Sequence, residues 1–375
     1  MTLFFELINI AIGRQQELSH IPSDAEWQHA YDIAMKQTMV GICVAAIQKL
    51  PSEQRPQGMT FLIWTATTAS IHEMNKLMNQ SCAHVQEDFR QKGFLSCLLK
   101  GQGISLYYGD MGKYRQCGDI DAWLWPCHAD GSLQSSLSRH ERRQGILSMV
   151  RSIKPDCKPV YHNVAIDYEK GIEVEIHFTP TWLYSPIHNA RLQRWMESRA
   201  EDLFRHSVTL EGGQQVIVPD TSFNLVYILL HIYRHLFGEG IGLRQVLDYY
   251  FVLLASTEEE RREAMRTLRS FGAGRFVGAL MWILHTRFGM EEDRLLCKAD
   301  EKDGRFLLKE MMIAGNFGYH DSRINRQALR KGLLSGFLEH VGRNMHFITH
   351  YPSEVLWCPL WKLWHQWWLR KNNIR

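Results

Sequence analysis

Paired cysteine motifs are missing from this 375-residue chain: its eight cysteines are scattered, with no CxxC pair and no zinc-ribbon spacing. That excludes a zinc ribbon and a disulfide scaffold and leaves reduced thiols. A long hydrophobic run is missing too. A membrane-spanning helix needs roughly 18 uncharged apolar residues, and the longest candidate, Phe223 to Phe237, carries His231, Arg234 and His235. The apolar residues from Leu3 to Ile12 are interrupted by Glu6 and lack a basic flank and a small-residue cleavage site. No transmembrane segment or secretion signal is read there, and the cytoplasm is the expected location. Charge of one sign is also lacking, because 43 basic residues against 40 acidic ones leave a net +3. A chain that grips nucleic-acid phosphates is far more basic. Neither an internal repeat nor a low-complexity tract is found.

What is present is ordinary globular composition, 45% hydrophobic and 22% charged, in a chain long enough for two or three compact regions. From Leu3 to Lys92 apolar residues recur at helical spacing, as in Ala30, Ile33, Ala34 and then Val40, Cys43, Val44, Ile47, with a break at Pro51 and Pro56. The pattern changes at Lys92-Gly93. Phe94 to Leu99 and Asp119 to Trp125 read as short buried strands, Ser132 to Ile153 as a connecting helix. Val160 to Tyr168 and Ile172 to Thr179 read as a hairpin joined by Glu169-Lys170-Gly171. After Pro180 the pattern is helical almost to the end, with its weakest joint in the charged stretch Met290 to Gly304. The expected fold class is α+β: N-terminal helices over 1–79, a small mixed β-sheet core over 80–200 and a larger C-terminal helical domain over 201–375.

The sharpest chemical signal is Gly118-Asp119-Ile120-Asp121. Two carboxylates one residue apart on a strand project from the same face and can share a cation. Oxygen-only ligands of this kind suit Mg2+; a bare pair also fits solvated carboxylates at a strand edge. Upstream, Lys100-Gly101 supplies a charge and a backbone that a phosphate can approach, and Arg115 can fork onto a phosphate or a carboxylate. Downstream, Glu173, Glu175 and His177 alternate along one strand face, and the better-centred Glu175 is chosen as a third cation ligand. Asn224, His231 and His235 share one side of an otherwise apolar helix, where the histidines either face a cleft or are satisfied in the interior. Zinc is disfavoured there, since Ile232 stands where a HExxH motif has glutamate. Arg244 and Asp248 are spaced as a helix pair, with Arg244 also a candidate for substrate phosphate. Trp357, Trp361, Trp364 and Trp368 form one aromatic face with Lys362, Arg370 and Lys371 nearby, expected to pack on the helical domain or to meet a partner or membrane surface.

The order Leu98-Leu99-Lys100-Gly101, Leu106-Tyr107-Tyr108, Arg115, Gly118-Asp119-Ile120-Asp121 and Val174-Glu175-Ile176-His177-Phe178 resembles the uncharacterised bacterial nucleotidyltransferases of the polymerase-beta-like superfamily. His231-x-x-x-His235, Gly240 to Gln245 with Asp248, and Tyr351-Pro352-Ser353-Glu354 followed by Trp357 and Pro359 are similar to that family's later blocks, so the resemblance runs over about residues 80 to 360. It implies transfer of a nucleoside monophosphate from a nucleoside triphosphate, ATP first among them, to a hydroxyl acceptor, with Mg2+ or Mn2+ as cofactor. By the resemblance Asp119, Asp121 and Glu175 take the metal and catalytic roles and Lys100-Gly101 the phosphate side, while Arg115, His231, His235 and Arg244 are expected nucleotide or substrate contacts on their own chemistry and position. The acceptor is left open by the sequence, with a protein or small molecule favoured over RNA because the net charge of +3 offers nucleic acid little. One departure is that Gly101-Gln102 stands 18 positions before Asp119, where the superfamily usually has a closer Gly-Ser or Gly-Gly pair. The alternatives are a nucleotide-binding regulatory or interaction protein without turnover, and a toxin-like transferase acting on tRNA.

Overall fold

A computed structural model describes residues 2–168, 171–318, 321, 323 and 333–371 of the chain. Helices α1 (Thr2–Ala11), α2 (Asp24–Lys36), α3 (Val40–Ile47) and the long α4 (Gly58–Gln91) build the N-terminal region, with the expected break at the prolines. Sequence sets their starts. Ser23 and Glu26 exchange side-chain and backbone hydrogen bonds in a capping box that opens α2. Every residue of α3 is buried, as its unbroken apolar run demands.

Four strands follow, β1 (Phe94–Leu98), β2 (Ile120–Pro126), β3 (Asn163–Asp167) and β4 (Glu173–His177). Between β1 and β2 lie the short α5 (Gln102–Ser105) and a 3-10 stretch, Leu106–Tyr114, while α6 (Arg139–Ile153) crosses from β2 towards β3. The sheet order is β1-β2-β4-β3, with β2 and β4 parallel and the two outer pairs antiparallel. It is the small mixed sheet the resemblance implies. The β3–β4 hairpin forms as expected; residues 169–170 of its turn lie outside the described residues. Alternation divides the two faces. Ile120, Ala122, Leu124, Val174 and Ile176 pack with Val85 and Phe89 of α4 and Ile146 and Val150 of α6 in one core. The opposite face carries Asp121, Trp123 and Trp125, and Trp123 stacks on Phe223, 6.4 Å between ring centres.

From Pro186 onward come α7 (Pro186–Ser198), α8 (Ala200–Leu203), then α9 (Thr221–Gly238), α10 (Leu243–Ala255), α11 (Glu258–Ser270), α12 (Gly274–Phe288), α13 (Glu301–Ala314), α14 (Leu333–Met345) and α15 (Pro352–Lys371). The purely helical reading after Pro180 misses a two-stranded sheet, β5 (Ser207–Thr209) and β6 (Gln215–Ile217), turned by Gly212 and Gly213 at φ 101° and 87°. Strands of three residues are too short to show alternation, so the glycine pair was the only signal. The charged stretch after Met290 is indeed a joint: α12 ends at Gly289 in the left-handed region, and α13 resumes at Glu301. Helix α15 does not turn its tryptophans to the helical domain alone. Trp361 stacks on Trp182 at 3.9 Å, and Trp364 meets Tyr161 edge-on at 5.6 Å, both next to the sheet. No helix among the described residues is long and apolar enough to cross a membrane.

Candidate active site

Parallel pairing of β2 with β4 sets Asp121 directly opposite Glu175, and Trp123 opposite His177. Since neighbouring strands lie about 4.8 Å apart, the pair brings two carboxylates and an imidazole into one cluster. Asp121 is buried; its Oδ1 accepts from Lys100 Nζ at 2.8 Å and lies 2.9 Å from His177 Nε2. Glu175 Oε2 accepts from Asn163 Nδ2 at 2.7 Å and lies 3.4 Å from the same His177 nitrogen. Ligand atoms of Asp121, Glu175 and His177 all fall within 4.8 Å of one another. Asp119, one position ahead of β2, is half-buried beside them.

The charges do not balance. Repulsion from Asp121, then burial, pushes the Asp119 carboxyl up to about 6. Burial opposes the charge on Asp121 as well, yet Lys100 and His177 outweigh it and hold that carboxyl below its usual range. Burial likewise opposes the Lys100 ammonium, but Asp121, Asp119 and Glu175 raise its pKa. Three carboxylates thus share one lysine and one histidine. Lys100 reaches them because Leu99 donates its N–H to the Asp121 carbonyl at 2.9 Å, extending the β1–β2 ladder by one step. Gly101 then turns the chain away at φ 54°, a conformation that favours glycine.

Helices α9 and α10 roof the cluster. Lys100, Gly101, Arg115, Asp119, Asp121, His231 and Arg244 line one cavity of about 30 Å³. A water needs at least roughly 10–15 Å³, so this space takes an ion with a water or two, not a nucleotide. His231 Nε2 lies 3.4 Å from Lys100 Nζ, and burial followed by Lys100 drives its pKa far down, which keeps the ring neutral. Among the expected contacts Arg115 takes its carboxylate alternative, while the Arg244–Asp248 pair and His235 are placed differently. Arg115 forks onto Asp248 at 2.7 and 2.8 Å, deep in the protein, where Tyr108 also donates to Asp248 at 2.7 Å. The Arg244–Asp248 helix pair is therefore replaced: Asp248 is taken by Arg115, and Arg244 donates to the Gln116 carbonyl. His235 lies one turn beyond the cavity with Nδ1 2.9 Å from Glu239.

His177 is not among the site residues expected from sequence, although its place in the Glu173-Glu175-His177 alternation puts it on the correct face. Asn163 carried no signal, because only the β3–β4 register places it opposite His177.

A small mixed sheet that sets an acidic pair on one strand against a third carboxylate on its parallel neighbour, under a helical roof, defines an α+β protein of the nucleotidyltransferase class. The chain belongs to the family described as uncharacterised nucleotidyltransferase, whose model matches residues 23–289. The match takes in α2 to α4, ahead of the stretch that carried the resemblance, and stops before the Tyr351-to-Pro359 block. No curated protein and no solved structure matches the chain. Membership supports nucleotidyl transfer as the activity.

Proposed function

We propose that the chain transfers a nucleoside monophosphate from a nucleoside triphosphate to a hydroxyl acceptor, and that Asp121, Glu175 and Asp119 hold a divalent cation, Mg2+ or Mn2+, for that reaction. The observation that carries this reading is the Asp121–Glu175 register with Asp119 alongside, an excess of negative charge strong enough to raise Asp119 to about 6. Such a donor set fits a hard divalent ion, which a single lysine only partly replaces. Bound there, the ion would neutralise charge on triphosphate oxygens during an in-line displacement.

The remaining tasks fall to this chain's own groups. His177 fixes the orientation of Asp121 through its 2.9 Å contact, as supporting groups around cation ligands commonly do. Lys100 is released from Asp121 when a cation arrives and is then free to meet phosphate. Arg244, whose buried Nε has no partner among the described residues, is the second phosphate cation at the cavity. Arg115, spent on Asp248, positions the segment ahead of Asp119 instead. A triphosphate needs Lys100 and His231 to swing aside, since about 30 Å³ does not hold it.

A second reading, a regulatory protein that binds nucleotide without turnover, is favoured by the lack of a Gly-Ser or Gly-Gly pair close before Asp119. Incubation with each labelled triphosphate, Mg2+ and host lysate separates them, because the enzyme deposits label on an acceptor and releases pyrophosphate. Asp121→Asn is expected to abolish transfer while leaving the fold intact; full transfer by this variant would overturn the assignment. Acceptors of protein or small-molecule type are favoured, since a net charge of +3 offers RNA little.

A further inference from the structure

The face of β2 that carries Asp121 continues through Trp123 to Trp125, four residues or about 13 Å further along the strand. There it opens into a second cavity of about 520 Å³, walled by β2, α6, the residues after β4, α7 and α15. That size is within the roughly 300–1,000 Å³ of small-molecule sites. Its chemistry is the reverse of the acidic cluster. Among the described residues Arg139, Arg142, Arg143 and Lys371 line it against one carboxylate, that of Glu197. Glu197 is already engaged, accepting from Arg139 at 2.6 and 2.8 Å and from Arg142.

Arg143 is the unusual member. Its guanidinium lies 4.2 Å from the Phe178 ring centre and 4.7 Å from that of Trp368, and it donates to the Tyr161 and Val160 carbonyls at 2.5 and 3.0 Å. No carboxylate among the described residues pairs with it. Three of its five N–H donors have no hydrogen-bond partner among the described residues. Burial lowers its pKa to about 10, so the site holds a cation at a cost. Arg142 lies 4.0 Å over Trp125, and Trp367 stands 55% exposed on the α15 wall. Flat indole surface beside unpaired guanidinium calls for a ligand that is planar at one end and anionic at the other. The surplus of positive charge matches the nearly double negative charge of a phosphate monoester better than one carboxylate.

We propose that this cleft binds a phosphate-bearing planar ring of nucleotide size, the ring on the α15 indoles and the phosphate on Arg143. The assignment does not depend on the nucleotidyl-transfer reading, and the α15 wall lies outside the family-matched residues. The probes are AMP and phenyl phosphate, titrated into the full chain by calorimetry in EDTA, which removes cation-dependent binding at the acidic cluster. Saturable binding is expected, weakened at least about tenfold by Arg143→Gln and by Trp367→Ala. Asp121→Asn should leave it unchanged. Adenosine and ribose 5-phosphate, each half of AMP, should both bind at least about tenfold more weakly. Trp367 is exposed, so its variant keeps the test decisive should Arg143→Gln fail to fold. No binding of either probe up to about 1 mM, or AMP binding lost in Asp121→Asn but kept in Trp367→Ala, overturns the proposal.

Discussion

Replacing Asp119 with asparagine should stabilise the cation-free protein at neutral pH. In the folded chain the Asp119 carboxyl titrates at about 6 against an ordinary 3.8. At about 1.4 kcal/mol per pH unit, its charge then opposes folding by at most about 3 kcal/mol, and partial exposure reduces this to about 1–2. The sign follows from linkage. Below about 3.8 the group is neutral in both folded and unfolded chains and costs nothing. As pH rises the unfolded chain ionises first, and the full cost is present above about 6. Urea denaturation in EDTA should therefore show Asp119→Asn more stable than wild type by about 1–2 kcal/mol near pH 7.5, with the gap closing towards pH 4. Saturating Mg2+ should reverse the order, because an ion at 100 times its Kd adds about 2.7 kcal/mol to the wild type alone. A variant no more stable than wild type at neutral pH, or a gap that does not close on acidification, would refute the electrostatic account of this site.

Three further outcomes are expected. Arg115→Ala leaves Asp248 buried without its cation and should cost about 3–5 kcal/mol, part of it recovered by adding Asp248→Asn; a loss below about 1 in denaturation experiments would show the pair to be dispensable. Trp361→Ala removes the ring stacked on Trp182 and should cost about 2–3 kcal/mol while making α15 easier to cleave with trypsin; unchanged proteolysis would show that α15 is anchored elsewhere. Gly41→Ala places a methyl group on the Tyr114 carbonyl and should lower stability by about 1–3 kcal/mol, whereas a neutral result would mean that the 3-10 stretch yields readily.

How far these sites could be read from sequence depended on the reach of each signal. Alternation gave the faces of β2 and β4, so Asp121, Glu175 and their apolar neighbours were legible, as was the α+β class. Parallel pairing was another matter: spacing puts Glu175 on a face but does not say which residue lies opposite. The same limit explains Asp248. Four residues from Arg244 on a helix, it looked paired by local rule, yet Arg115, 133 positions away, supplies a better bidentate fit from another element. His231 and His235, alike in pattern, part company because only the first looks onto the cavity. The β5–β6 hairpin was too short to announce itself by period.

The stacking of Trp361 on Trp182 has a consequence for biosynthesis. These rings are separated by most of the C-terminal half of the chain, so a ribosome must release sequence as far as α15 before the segment following β4 is covered. Until then the Tyr161, Trp182 and Tyr184 rings lack the Trp361 and Trp364 partners that complete their packing. A nascent chain stalled after α12 would hold all four strands of the mixed sheet and both roof helices and still lack the ring that covers Trp182.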